Sequence, residues 1–422
     1  MKIRETINEI NKFFLENKIN SKYIKTDSSA YLYTLHFLIK NTVRPKKLLK
    51  LEQDISFLLG IEKIRVTISN LRDNTLAIEI PKEKRGIVKL NKAVENEEFR
   101  NNKGELKFVL GENLKGEYIV KDLTEMTHLL IAGQTGSGKS VFLNTIINCL
   151  IQNKDCDFIM VDTKRVELSL YSNLHSLLFP VCDDVEKTIT ALTWVVNEMN
   201  KRYETFEELG VKDLKEYNKK TKQNMHRIVI IIDELADLMM QSSKEVETLI
   251  CRIAQLSRAC GIHLIIATQR PSREVLTGLI KVNLPTRVAF SVNSKINSRI
   301  ILDENGAEQL LGKGDMLYLQ AGKEKERIQS AYISTKEIEE NIKNANKHIK
   351  RIVKKQDILL ESVLKYLKLN KKNAINGTEL QEVFKISEKQ ASDLINKLEK
   401  QKVVGKFRVF APRQVFLDKI KI

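Results

Sequence analysis

Eight consecutive residues, Gly133-Gln134-Thr135-Gly136-Ser137-Gly138-Lys139-Ser140, carry the strongest chemical signal in the chain. Their spacing is G-x-x-x-x-G-K-[ST], the pattern of a phosphate-binding loop. Glycines let backbone N–H groups turn inward onto phosphate oxygens. A helix opening near Lys139 adds the positive end of its dipole to the same place. In such a loop Lys139 reaches the β- and γ-phosphates of ATP and the Ser140 hydroxyl ligates Mg²⁺. The surroundings fit, because the motif follows an apolar strand-like run, HLLIAG, and opens a helical one, SVFLNTII.

A second signal lies about a hundred residues later, where RIVIII ends in Asp233-Glu234. An acid at the carboxyl end of a buried parallel strand sits at the crevice where ligands bind. Asp233 is the candidate for the Mg²⁺ shell, and Glu234 is placed to polarise an attacking water. The competing role for Glu234 is a helix N-cap, since LADLMM continues helically. A third apolar run, HLIIATQ, ends in Thr268-Gln269, and a polar group there can sense a γ-phosphate. Arg258 closes the preceding helix. It is either a cation favoured by the helix dipole or an arginine finger supplied to a neighbouring site.

The elements that must position these residues read as a doubly wound α/β motor over 119–335. Continuous apolar runs (HLLIAG, DFIMVD, RIVIIID, HLIIATQ, TRVAFSV) alternate with long helical stretches, as in a parallel sheet covered on both faces. Residues 1–28 read as a short helix and link. Residues 29–118 mix strand and helix patterns in a small α+β unit. Residues 336–355 are polar and lysine-rich and suit an exposed helical linker. Residues 356–422 read as three helices and a small hairpin, a winged-helix pattern.

Composition narrows the class. Hydrophobic residues make up 42% of the 422, enough for a large core and too many for a disordered chain. The formal charge is +17, which points to a polyanionic partner. By region the surplus is +7 over 1–118, zero over 119–335, +4 over 336–355 and +6 over 356–422. Within the motor, only 270–299 is locally basic, with six Lys and Arg against Glu274 alone. The five cysteines form no CxxC pair and no zinc spacing, so reduced thiols in a cytoplasmic protein are expected. The start, MKIRETINEINKFF, lacks the apolar core of a signal peptide. No uncharged apolar run reaches the roughly 18 residues of a membrane span.

Taken together, HLLIAGQTGSGKSVFLN, ELSLYSNLHSLLFPV, IIIDELADLMM, RIAQLSRACGIHLIIATQRPS, VLTGLIKVNLPTRVAFSV and SKINSRIILDENGAEQLLGKGDML resemble the FtsK/SpoIIIE family of DNA translocases. The resemblance covers about residues 30–422. It implies a RecA-like P-loop motor (the β domain, 119–335), a preceding α domain and a winged-helix γ domain that reads DNA. It implies ATP and Mg²⁺, duplex DNA in the channel of a hexameric ring with ATP sites between subunits, a site-specific recombinase as partner, and recruitment to the division site. By the same resemblance Arg258 takes the place of the trans arginine and Gln269 that of the sensor. Arg270, Lys281, Lys295 and Arg299 become candidates for the DNA-facing loops, against a reading as ordinary surface cations. Lys389 and Gln390 become candidate readers of base edges.

The chain also departs from the family. Asp162-Thr163-Lys164 stands where members often have Asp-Pro-Lys, and the N-terminal membrane helices and long linker of many members are absent. Glu388 and Asp393 place acids on the expected recognition helix. The leading expectation is an ATP-dependent duplex DNA translocase in chromosome segregation. The alternatives are a conjugation or genome-packaging ATPase, and a non-motor winged-helix regulator.

Overall fold

A computed structural model describes residues 3–40, 43–70, 74–153, 155–348, 359–360, 363–364, 366–367, 372–384, 386–405 and 412–419. The first unit joins helix α1 (Ile3–Glu16) to strands β1 (Ser21–Ser28) and β2 (Leu32–Ile39), helix α2 (Pro45–Leu59), and strands β3 (Arg65–Asn70) and β4 (Thr75–Pro81). The strands form an antiparallel sheet in the order β1-β2-β4-β3. Ile10 and Phe14 of α1 and Leu51 and Ile55 of α2 share one core with Leu35, Phe37, Ile78 and Ile80. The first helix is therefore part of this unit rather than a link before it. At 14 residues it is marginal as an isolated helix, and the sheet supplies the surface against which its apolar face is buried.

Two short helices, α3 (Leu90–Glu95) and α4 (Glu97–Asn101), lead into β5 (Lys107–Asn113) and β6 (Tyr118–Asp122). These strands join the larger sheet rather than the first one. Helix α5 (Leu123–Met126) precedes β7 (Leu129–Ala132), and then come α6 (Lys139–Leu150), β8 (Cys156–Val161), α7 (Val185–Leu209), α8 (Leu214–Thr221), β9 (Arg227–Ile232), α9 (Leu235–Leu256), β10 (Ile262–Thr268), α10 (Gly278–Asn283), β11 (Arg287–Phe290), α11 (Lys295–Leu302), β12 (Asp315–Leu319) and β13 (Glu326–Ser330). The nine strands are ordered β6-β5-β13-β12-β11-β7-β10-β9-β8. The β11-β7-β10-β9-β8 half is parallel, and the rest is antiparallel. The sheet is thus mixed, with a parallel half where continuous apolar runs predicted it.

The alternation of side chains explains why those runs are apolar throughout. Ile228, Ile230 and Ile232 of β9 face α7 and α9, whereas Val229 and Ile231 face α6. Helix α12 (Thr335–His348) buries Ile338, Ile342 and Ala345 in the α6-side core. The first part of the segment expected to be exposed is therefore docked. An apolar residue at every third or fourth position suffices for one narrow buried stripe, even in a lysine-rich helix. Further on, β14 (Ala374–Ile375), α13 (Gly377–Phe384), α14 (Glu388–Lys400) and β15 (Arg413–Gln414) form a small unit. The two strands pair, and Leu380, Leu394 and Leu398 share its core. Much of the helix expected from 358 and of the strand expected over 402–410 lies outside the described residues.

A buried ionic junction ties the first unit to the motor. The Arg327 guanidinium on β13 meets Asp315 on β12 at 2.6 Å and 3.0 Å and also pairs with Glu79 on β4. Burial works against the guanidinium charge, and the Asp315 and Glu79 carboxylates outweigh it, holding its pKa above the usual range. Around it Lys63 Nζ donates to Leu310 O at 3.0 Å and Gln309 Nε2 to Glu52 Oε1 at 2.8 Å.

Candidate active site: a nucleotide cleft

The loop from Gly133 to Gly138 joins β7 to α6 at the carboxyl edge of the parallel strands. It is held from outside. Gly133 N–H donates to Thr268 O at 3.2 Å, and Gln134 N–H to Ser291 O at 3.0 Å. Gly138 adopts φ +110°, and a Cβ there would lie 2.4 Å from Gly314 N. Only glycine allows this close approach. The buried Ser137 Oγ and Gln134 Oε1 lack protein partners, and Lys139 opens α6. The expected phosphate cradle is therefore formed, with polar atoms left to satisfy.

Lys139 and Asp233 come together across the cleft floor. Lys139 Nζ donates to Asp233 Oδ1 at 2.7 Å and to Asp233 O at 2.9 Å, with both side chains 2% exposed. Glu234 follows directly and is buried as well. Its Oε1 accepts from Thr268 Oγ1 at 2.7 Å, and both carboxylate oxygens accept from Gln269 N–H at 3.1 Å. Lys164 Nζ approaches Oε2 at 3.4 Å. Glu234 also caps α9 through Ala236 N–H. Glu234 is thus the N-cap of α9, and it is a buried cap with further partners at the end of β10 rather than an exposed one. Thr135 Oγ1 donates to Gln269 Oε1 at 2.7 Å, so the β10 end is wired to the phosphate loop.

The cleft has a volume of about 820 Å³, within the roughly 300–1,000 Å³ of small-molecule sites. Besides Gln134, Thr135, Gly136, Gly138, Lys139, Ser140 and Gln269, its walls include Ile87, Glu167, Lys313 and Tyr332, which sequence reasoning did not single out. Lys164 and Thr268, which hold Glu234, were also missed as partners. Lys164 was named only within Asp162-Thr163-Lys164, where Thr163 stands in place of the usual proline. In that stretch the Thr163 hydroxyl donates to Asp237 at 3.0 Å. Ser140 and Asp233 supply the hard oxygen donors that suit Mg²⁺, and the partnerless Ser137 and Gln134 atoms are consistent with a polar ligand in the cleft.

The remaining candidates lie elsewhere. Arg258 is exposed on the turn before β10, whereas Gln269 follows the same strand. Seven residues at about 3.3 Å each put roughly 20 Å between the two ends, so Arg258 is remote from its own cleft. Arg270, Lys295 and Arg299 are exposed. Arg270 contacts Met240 Sδ at 3.5 Å, and Arg299 Nε donates to Asn305 Oδ1 at 2.9 Å. Lys281 is drawn into an ion pair with Asp303 at 2.6 Å, shared with Arg287 at 2.6 Å. Burial raises the Asp303 pKa, but the bonds from Lys281 and Arg287 outweigh it and hold the carboxyl below its usual range. Gln390 is engaged in a capping box, its Oε1 accepting from Ser387 N–H at 3.0 Å. That carbonyl is committed to the helix end. Lys389 lies on α14, and its side chain is outside the described residues. Among the described residues no helix is long and apolar enough to cross a membrane.

Residues 89–273, which include the phosphate loop and both acids, match the FtsK/SpoIIIE family. The DNA translocase FtsK of Clostridium acetobutylicum is 38% identical over 444 residues, covering 99% of this chain and 57% of that protein. The DNA translocase SpoIIIE of Bacillus subtilis is 38% identical over 405 residues, covering 90% and 52%. The chain spans about half the length of these curated relatives. Among solved structures, the pCW3 conjugation coupling protein TcpA, in a monomer form with ATPγS, is 26% identical with a TM-score of 0.58. That match covers 81% of this chain and 99% of TcpA. The fold is that of P-loop ATPases, and the chain belongs to the FtsK/SpoIIIE family through its domain at 89–273.

Proposed function

We propose that the chain hydrolyses ATP to move along duplex DNA, as one subunit of a ring that serves chromosome segregation at the division site. The observation that carries this reading is the cleft itself. Phosphate loop, Lys139, Asp233 and Glu234 are assembled at the carboxyl ends of parallel strands, in a chain whose relatives are named DNA translocases. Lys139 binds the β- and γ-phosphates after leaving Asp233. Ser140 and Asp233 would hold Mg²⁺, which would neutralise phosphate charge. Glu234 orients the attacking water and takes its proton. Thr268 and Gln269 N–H keep that carboxylate in place until nucleotide contacts reach Gln269 through Thr135.

Arg258, remote from its own cleft, serves a neighbour's cleft as a trans arginine. Arg270, Lys295 and Arg299 face duplex phosphates in the channel, where cations grip without reading sequence. The C-terminal unit binds DNA as a winged helix, and a recombinase is a partner of the assembled ring. A conjugative duty is the second reading, favoured by the likeness to TcpA across nearly all of that protein. Adding linear duplex to the purified chain with Mg²⁺ and ATP should raise phosphate release several-fold. Equal turnover with and without DNA contradicts the motor reading.

A further inference from the structure

The nucleotide cleft has two chemically different ends. One is the phosphate end, built by Gly138, Lys139 and Ser140. Beyond it the walls carry Val141, Ala331, Ile87, Val88 and Tyr332, together with Glu83 and Arg85 of the tether that carries Ile87. Ile87 is 66% exposed and Tyr332 45%, so two large side chains stand in water on the wall of a polar cleft. Their backbones are fixed. Tyr332 N–H donates to Val88 O at 2.7 Å, and Leu90 N–H to Tyr332 O at 3.0 Å. These bonds make a short parallel bridge between Lys89 and Tyr332. Upstream, Gly86 N–H donates to Ala30 O at 2.8 Å. The tether between the two sheets is thereby anchored to the first unit on one side of Ile87 and to the motor on the other.

Phosphate groups gain nothing from such a wall, whereas a base does, because its faces are apolar and its π-system stacks on an aromatic ring. Val141 follows Ser140 in the first turn of α6. The apolar wall and the phosphate end therefore line one and the same cleft. We propose that Ile87 and Tyr332 form a base clamp, holding ATP by its adenine and making the 82–89 tether part of the nucleotide site. The proposal rests on the nucleotide reading above and deepens it.

The test uses the full chain with Mg²⁺ and two probes, AMP-PNP and inorganic tripolyphosphate, with binding measured by calorimetry. Ile87→Ala and Tyr332→Ala should each weaken AMP-PNP roughly tenfold and leave tripolyphosphate within about twofold of wild type. Tyr332→Phe, which keeps the ring, should bind both probes as wild type does. Both side chains are exposed, so truncation leaves the fold standing. Undiminished AMP-PNP affinity in both alanine variants overturns the clamp. So does a loss shared equally by tripolyphosphate, which marks a structural role. Lys139→Ala separates the two readings. If it loses both probes while the clamp variants bind normally, only the clamp fails. If it binds both probes normally, the phosphate site itself is misplaced and the clamp falls with it.

Discussion

The cleft and the basic stretch 270–299 sit on the same domain and are built in opposite ways. Lys139, Asp233 and Glu234 are buried and hydrogen-bonded: Lys139 to Asp233, Asp233 also to Val161 O, and Glu234 to Thr268 and Gln269. Arg270, Lys295 and Arg299 stand on the surface with few contacts, and Lys281 is paired to Asp303. Phosphoryl transfer depends on placing charge within fractions of an ångström of a developing transition state. Gripping a polyanion depends on the number of accessible cations and is tuned by salt. One region is therefore specified atom by atom, and the other by charge count.

The largest effect that this contrast predicts is at Lys139. Lys139→Ala should lower ATP hydrolysis by at least about a thousandfold, read as phosphate release; near-wild-type turnover would place the site elsewhere. Glu234→Gln should lower kcat by roughly 10²- to 10⁴-fold while AMP-PNP still binds, because its task is proton transfer rather than affinity. A comparable loss of AMP-PNP binding would make Glu234 structural.

On the other side of the comparison effects are small. Lys295→Ala should weaken duplex binding several-fold and reduce the slope of log K against log salt by about one, with ATP affinity untouched. An unchanged salt slope would return Lys295 to the ordinary surface. Asp303→Asn should act in the opposite sense, releasing Lys281 and tightening duplex binding several-fold at a stability cost of about 1 kcal/mol or less. Acid should mimic it. The Asp303 carboxyl is held below its usual range, so the ion pair's contribution is complete above the unfolded carboxylate pKa and is lost as pH falls through the lowered folded value.

The same contrast explains what the sequence disclosed. Gly138, Lys139, Ser140, Asp233 and Glu234 were legible because their chemistry demands fixed types at strand ends. The parallel half of the sheet was legible because strands buried on both faces must be apolar throughout. By contrast, the boundary drawn at 118/119 left β5 with the first unit and cut through the start of β6, because short antiparallel strands look alike in either sheet. Ile87 and Tyr332 are 245 positions apart, and no periodicity links residues that only tertiary folding brings to one cleft. Gln390 shows a local partner that residue type alone does not disclose. Its type suits base reading, yet Ser387 three residues earlier gives it a local partner, and the capping box uses its carbonyl. Lys281 likewise counts as a free cation in sequence and is neutralised in the structure by Asp303, 22 residues downstream.

The central claim is that hydrolysis in the cleft moves the chain along duplex DNA. Displacement of a triplex-forming strand from a long linear duplex tests it most directly. ATP should support displacement, AMP-PNP should not, and Glu234→Gln should bind the duplex without displacing the strand. Equal displacement with AMP-PNP, or none with ATP under conditions where duplex DNA stimulates hydrolysis, would contradict the account.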